Sequence, residues 1–349
     1  MRIAQIAPLI ESVPPRGYGG TERIVAYLTD ELVQLGHDVT LFATSDSKTA
    51  ARLVPCADIA LRLDSRVQDA LPHHLVMLDR VRRQASTFDI LHFHLDLLHL
   101  PLFAGTGHRT VTTLHGRLDL PDLRALYATF GSMPQVSISI DQRRPLQGLV
   151  QWAGNVPHGL PPELLPFEPS PAGDYLAFLG RFSPEKGPEA AIEIARRAGM
   201  PLHIAAKVDR QDRKYWETVL VPKIESSSHV ECLGEIDEVM KASFLGNAKA
   251  LLFPIDWPEP FGLVLIEAMA CGTPVIAYGC GAVPEIIEHR VNGFIVDSVA
   301  GAASAVRQVH RLDRAAIRAR FEERFTARRM ATEYVQIYSR LLEAQRRAG

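Results

Sequence analysis

Long apolar runs are missing from this sequence: no segment reaches the ~20 uninterrupted apolar residues that a membrane-spanning helix needs. Cysteine is scarce, with four in 349 residues, and Cys56, Cys232, Cys271 and Cys280 form no C-x-x-C pair and have no neighbouring histidine ligand. That spacing speaks against a disulfide framework and a structural zinc site, so the thiols read as reduced core or turn residues of a cytoplasmic protein. Neither sign of charge is in excess: 38 Lys and Arg face 40 Asp and Glu, a formal net charge of −2. Without a basic tail or domain, nucleic acid is not the expected partner. The opening Met1-Arg2-Ile3-Ala4-Gln5-Ile6-Ala7-Pro8 is patterned as a buried strand and not as a signal peptide.

What is present suits a soluble protein of two domains, since 349 residues exceed a comfortable single core. The first half predicts a strand over residues 3–9 and then a loop rich in Gly and Pro. Next come a helix with Ile24, Val25, Leu28, Leu32 and Leu35 at 3–4 residue steps and a strand over residues 37–43. Strand, glycine loop, helix, strand is a βαβ unit, which calls for a parallel sheet. A further helix is expected over residues 68–84, with strands over 88–94, 109–114, 136–140 and 148–156. Polar residues at the carboxyl ends of parallel strands point into the ligand crevice, which places His94 and His115 there. His92 and His94 share a strand face, yet no third ligand stands at a convincing metal spacing except Asp96.

The loop Gly17-Tyr18-Gly19-Gly20-Thr21 is too long for a dinucleotide turn and lacks its third glycine, so nicotinamide binding is discounted. It serves either a ligand, by letting the backbone approach closely, or simply as a flexible loop before a helix.

The densest proline region, residues 156–171, marks the domain boundary. Beyond it, strands are expected over residues 174–180, 200–206, 229–233, 250–254, 274–278 and 294–296, with helices between. Arg181 and Lys186 lie in a strand-to-helix turn, where two cations suit a leaving diphosphate: Arg as a bidentate donor, Lys as a mobile point charge. The alternative is a solvated charged loop. Glu259 stands between Pro258 and Pro260, where helix is disfavoured. The apolar run from Leu263 to Met269 reads as a short buried helix that stops at Cys271-Gly272. Glu259 thus precedes a helix whose free N–H groups near Phe261, Gly262 and Leu263 suit an anion. Glu267, inside the helix among apolar residues, needs a partner for its charge. A carboxylate before the helix can take sugar hydroxyls, and one within it a ribose diol. The competing assignment makes them a solvated loop acid and a polar helix face.

Together these residues closely resemble the E-x7-E signature of the retaining glycosyltransferases of family 4. The likeness runs on through Glu267-Ala268-Met269-Ala270-Cys271-Gly272-Thr273-Pro274-Val275-Ile276-Ala277, Val283-Pro284-Glu285-Ile286-Ile287 and Asn292-Gly293-Phe294. It covers nearly the whole chain and is most specific over residues 180–297. It implies the GT-B fold, an α/β architecture of two Rossmann-like parallel-sheet domains facing across a cleft. Residues 1–160 would bind the acceptor and residues 161–325 the nucleotide sugar. Residues 326–349 would form a helix crossing back to the first domain. A basic amphipathic helix resting on a membrane is the rival for the tail, but Glu322, Glu323, Glu333 and Glu343 dilute its positive charge.

The resemblance also implies site residues. Glu259 would bind the sugar hydroxyls and Glu267 the ribose, while Arg181 and Lys186 would neutralise the diphosphate. His115, in a Thr-x-His-Gly match, would lie beside the transferred sugar. Gly19, Gly20 and Thr21 would approach donor phosphate or acceptor, Ile236 and its loop the nucleobase, and Phe261, Gly262 and Leu263 would offer backbone amides. By position alone, just after a strand, Lys207 and Asp209 are expected to reach the cleft. His158-Gly159-Leu160 departs from the family's Asn-Gly-Val-Asp, so any role of that Asn is in doubt. The expected activity is transfer of a hexosyl group from a UDP-type sugar to a hydroxyl acceptor, whether glycan, lipid-linked or small metabolite. No metal or other cofactor is expected. An epimerase of the same fold and a non-catalytic nucleotide-sugar-binding protein are the alternatives.

Overall fold

The computed structural model describes residues 1–348 and divides into two compact units, Met1–Gly159 with Ala327–Gly349, and Leu160–Thr326. Each is a parallel sheet covered by helices, so the two Rossmann-like sheets expected of a GT-B chain are both present.

The first unit carries β1 (Arg2–Ile6), β2 (Asp38–Thr44), β3 (Arg52–Ala57), β4 (Ile90–Phe93), β5 (Thr110–Thr113), β6 (Gln135–Ser137) and β7 (Trp152–Asn155) in the order β3-β2-β1-β4-β5-β6-β7. Strands buried on both faces explain the near-continuous apolar runs: Ile3, Ala4, Ile6, Leu41, Phe42 and Phe93 are fully covered. β3 has no counterpart in the sequence reading. It contains Pro55, which a strand tolerates at a sheet edge, and β3 is an edge strand. The helix expected from residue 68 starts later, as Leu71–Gln84.

The second unit carries β8 (Leu176–Arg181), β9 (Leu202–Lys207), β10 (Val230–Gly234), β11 (Ala250–Phe253), β12 (Val275–Tyr278) and β13 (Gly293–Val296) in the order β10-β9-β8-β11-β12-β13. The chain builds outward from β8 in one direction, then crosses to β11 and builds in the other. Ligands of open parallel sheets bind beyond the carboxyl ends of the strands at such a reversal. Here it falls between β8 and β11. In the first unit it falls between β1 and β4, the strands that precede the glycine loop and His94.

The tail is built of two helices. Arg314–Arg324 belongs to the second unit, with Phe321 and Phe325 buried there. The chain turns at Phe325-Thr326, and Ala327–Ala348 then packs on the first unit through Met330, Ala331, Tyr334, Ile337 and Tyr338. That burial of its apolar stripe accounts for the helix as a brace. No helix among the described residues is long and apolar enough to cross a membrane.

Candidate active site

The second unit gathers its charged side chains at the β8/β11 reversal. β8 ends at Arg181, and a short turn through Pro184–Lys186 leads into the helix Pro188–Ala198. Gly187 closes that turn with φ +71, and a Cβ on it would lie 2.0 Å from Pro254 O, so only glycine lets the turn press against the loop after β11. Across that contact Lys186 Nζ forms an ion pair with Glu259 Oε2, although 73 residues separate them. Trp257 Nε1–H donates to the same carboxylate oxygen at 3.0 Å, and the Lys186 ammonium stands 4.9 Å above the Trp257 ring. A second glycine fixes Glu259 itself. Gly281 has φ +57, and a Cβ there would lie 2.4 Å from both Glu259 N and Glu259 O. Ala282 N–H donates to Glu259 O at 2.9 Å, so the 279–282 loop seats directly on the backbone that carries the carboxylate.

Glu267 sits in the helix Leu263–Ala270 and is 5 % exposed. Its missing partner is Lys241, whose Nζ donates to Glu267 Oε1 at 2.7 Å and to Glu238 Oε1 at 2.6 Å. Lys241 is itself buried, which is tolerable for an ammonium only when paired. Gly262, at φ +88, starts the helix, and Leu263 is half-buried at its first position. The Phe261 side chain is buried against Phe325 at 6.2 Å between ring centroids, so only its backbone faces the helix start. Ile236 is half-buried in the loop between β10 and the helix Glu238–Gly246.

Arg181 pairs with a set of acids of its own. Its guanidinium stands among three carboxylates: Glu185 Oε1 at 2.5 Å, Asp212 Oδ2 at 3.3 Å and Asp209 Oδ2 at 3.6 Å. Lys207 Nζ takes the other oxygen of Asp209 at 2.8 Å. Burial outweighs the guanidinium beside it and holds the Asp212 carboxyl above its ordinary range.

In the first unit the residues expected at the site cluster as well. The glycine loop is a braced segment, not a slack one: Arg62 donates to Tyr18 O at 2.9 Å and Arg23 to Gly17 O at 2.8 Å. Gly19 and Gly20 are half-buried, and Thr21 lies in the first turn of the helix Gly20–Gln34. Glu22, in the same turn and buried, has its carboxyl pushed up to about 7 by burial.

His115 follows β5. Its backbone N–H donates to Asp96 Oδ1 at 3.2 Å, and Gln142 Nε2 donates to the carbonyls of Leu114 and Gly116 at 2.8 Å each. Gln142 therefore clamps the chain on both sides of the imidazole. His115 Nε2 lies 2.9 Å from His94 Nδ1, and its ring stacks on His158 with centroids 5.2 Å apart and planes inclined by 19°. Burial pushes His115 down to about 3 and holds His92, His94 and His158 well below the ordinary histidine range, so this cluster is neutral at pH 7. Asp96, at φ +49 and half-buried, is pushed up to about 6 by burial. His92 is engaged by Thr113 and Tyr338, each at 2.7 Å. The sequence reading missed Lys241, Trp257 and Gln142. Of these only Lys241 left a trace, in the demand of Glu267 for a cation.

The comparisons with known proteins meet this geometry from outside. Residues 168–325 match the glycosyl transferases group 1 family, and residues 18–144 match glycosyltransferase family 4. The chain belongs to glycosyltransferase family 4, group 1. It is similar to the phosphatidyl-myo-inositol mannosyltransferase of Mycobacterium leprae, at 26 % identity over 92 % of this chain and 90 % of that one. Among solved structures it resembles sucrose-phosphate synthase from Thermosynechococcus elongatus, with TM-score 0.79, 19 % identity and coverage of 99 % of this chain and 100 % of that one. It also resembles the Anabaena protein HepE in complex with UDP and glucose, with TM-score 0.74, 18 % identity and coverage of 97 % and 99 %. This glycosyltransferase therefore shares both its family and its fold with enzymes of sugar transfer.

Proposed function

We propose that this glycosyltransferase is a retaining hexosyltransferase that uses a nucleotide-diphosphate sugar, with a UDP-sugar the first donor to test. The observation that carries the reading is the Lys186–Glu259 pair at the β8/β11 reversal, an ammonium and a carboxylate held by two glycine close approaches and an indole N–H. A cation at that point suits the departing diphosphate, and a fixed carboxylate suits the hydroxyls of the sugar. Such preorganised charge is worth several kcal/mol of transition-state stabilisation.

In this reading Lys186 and Arg181 neutralise the leaving group without a metal ion, Arg181 after exchanging its carboxylates for phosphate oxygens. The N–H groups of Phe261, Gly262 and Leu263 add the positive end of the helix. Glu267, oriented by Lys241, takes the ribose diol, and the backbone near Ile236 takes the base. The first unit receives the acceptor along Gly19, Gly20 and Thr21, and His115 meets a hydroxyl of the sugar. The bond from the anomeric carbon to the β-phosphate oxygen breaks as the acceptor oxygen bonds to the same face. The acceptor's proton passes to the leaving phosphate. No side chain is required as a covalent nucleophile.

The mannosyltransferase relative puts lipid-linked hydroxyls and mannose among the acceptors and sugars to be tried, and HepE puts UDP and glucose there. A location in the cytoplasm accords with four cysteines that form no disulfide.

Thermal unfolding with UDP-, GDP- and ADP-sugars identifies the donor, because ligand binding raises the unfolding temperature by mass action. Lys186→Ala is expected to stay folded and lose nucleotide release. Normal turnover in that variant would remove the proposal. Incubation of donor without acceptor separates the alternatives: an epimerase would alter the sugar, and a binding protein would release no nucleotide with any acceptor.

A further inference from the structure

A file of polar side chains runs through the first unit from its last helix to His115. Tyr334 Oη lies 2.7 Å from Thr113 Oγ1, which lies 2.7 Å from His92 Nε2, and His92 Nδ1 lies 2.7 Å from Tyr338 Oη. Gln5 Nε2 sits 3.4 Å from both Tyr338 Oη and His92 Nδ1, while Gln5 Oε1 sits 2.7 Å from His94 Nε2. The file ends where His94 Nδ1 meets His115 Nε2 at 2.9 Å. Gln5, His92, His94, Thr113, Tyr334 and Tyr338 are all buried, so no solvent competes for these bonds.

A neutral imidazole has one donor and one acceptor nitrogen, and a primary amide has one face of each kind. The orientation of the Gln5 amide therefore fixes the protons of His94 and His115, and two orientations are possible. In one, Gln5 donates to Tyr338, and Tyr338 donates to His92. His94 Nε2–H donates to Gln5 Oε1, and His94 Nδ1 accepts from His115 Nε2–H. His115 Nδ1 then carries a lone pair. In the other, the amide is turned over and every bond reverses, leaving a hydrogen on His115 Nδ1. That nitrogen is buried and meets no partner among the described residues. The first orientation is the one the side chains adopt, with Gln5 Oε1 toward His94 Nε2 and Gln5 Nε2 toward Tyr338 Oη.

We infer that Gln5 and His94 are positioning residues that hold His115 as its Nε2–H tautomer, so that the Nδ1 lone pair is offered to a hydroxyl of a sugar or polyol ligand. The ligand half of this inference rests on the reading that His115 belongs to the site; the tautomer does not. Tyr338 anchors the file from the last helix, 333 residues from Gln5. That helix thereby acts on the histidine as well as bracing the unit.

The test uses the full chain labelled with 15N-histidine, with long-range 1H–15N correlations of the ring nitrogens at pH 7.5. His115→Gln identifies the His115 signals by their loss. The expected result is a protonated Nε2 and an unprotonated Nδ1 on His115, and a protonated Nδ1 would overturn the inference. In Gln5→Met, which keeps the chain length and loses the amide, His115 is expected to divide between both tautomers. Release of UDP from UDP-glucose, or of GDP from GDP-mannose, is expected to fall about tenfold in kcat with KM little changed. An unchanged tautomer in that variant would end the positioning role. Should Gln5→Met fail to fold, Tyr338→Phe keeps the ring and removes the hydroxyl that accepts the Gln5 amide hydrogen. It is read by the same spectrum and the same two outcomes. Normal nucleotide release by His115→Gln, beside the expected wild-type tautomer, would reject the site reading alone.

Discussion

Lys241 Nζ lies 2.7 Å from Glu267 Oε1, and both residues are buried. Neither could keep its charge there alone, because desolvation of a single ion costs several kcal/mol that only a close partner offsets. Lys241→Met is expected to destabilise the second unit by about 3–5 kcal/mol, the cost of an uncompensated buried carboxylate. The double variant Lys241→Met/Glu267→Leu is expected to be more stable than Lys241→Met. Urea unfolding of the wild type, both single variants and the double variant checks this, and simple additivity of the two substitutions would show that the pair is not coupled.

Gly281 supports Glu259 by being small and left-handed. Gly281→Ala would place a methyl group 2.4 Å from the Glu259 backbone at a φ of +57. A strain of about 1–3 kcal/mol is expected, together with loss of nucleotide release, because the loop must move and the carboxylate moves with it. Gly199→Ala has a similar φ of +69 and meets nothing within 4 Å, so it serves as the control for backbone strain alone. Equal activity losses in both would detach Glu259 from the explanation.

The neutral histidines make the first unit acid-labile. His92, His94, His99, His115 and His158 are all held by burial below their ordinary value of 6.5, His99 and His115 down to about 3. Protons therefore bind the unfolded chain first as pH falls below 6.5. The stability these groups contribute is complete above that pH and is lost progressively toward 3, at up to about 1.4 kcal/mol per pH unit for each. Glu22 acts the other way: its raised value of about 7 favours the folded state below 4.5, a benefit lost as pH rises through 7. Asp96, pushed up to about 6, acts in the same direction as Glu22, but two carboxyls oppose five imidazoles, so unfolding temperature is expected to fall from pH 6.5 to 5. Glu22→Gln should steepen that fall, and a flat profile over the interval would contradict both.

Arg181 is shared among Glu185, Asp209 and Asp212, and a donor diphosphate would have to displace them. Asp212→Asn weakens the competition for the guanidinium. A partly exposed ion pair is worth about 0–1 kcal/mol, so donor KM is expected to drop by up to about fivefold. A rise in KM would mean that Asp212 presents Arg181 to the donor instead of withholding it.

Most of the framework was legible in the chain itself because it is written at short range. Fully buried parallel strands appear as apolar runs, and the helix Pro188–Ala198 is bounded by Pro at its start and Gly199 after its end. β3 was not legible, since Pro55 in a strand is acceptable only at an edge and an edge is a property of the assembled sheet. The break at Phe325-Thr326 came from the family resemblance, which sets residues 326–349 apart as a helix, and not from the local pattern. Phe321 and Tyr334 look alike along the tail, and only their destinations in different units distinguish them.

The sequence alone determined most of the strands and helices, where the acids of the glutamate motif stand and that Glu267 requires a cation, because periodicity, proline and glycine act over a few residues. Tertiary structure alone decided that the cation is Lys241, that Arg181 is held by acids while Lys186 meets Glu259, and that Gln5 and Tyr338 reach His115. Those partners lie up to 333 residues apart and are brought together by strand order. Charge and hydrogen-bond complementarity select a neighbour only after the sheet has placed the candidates within a few ångströms.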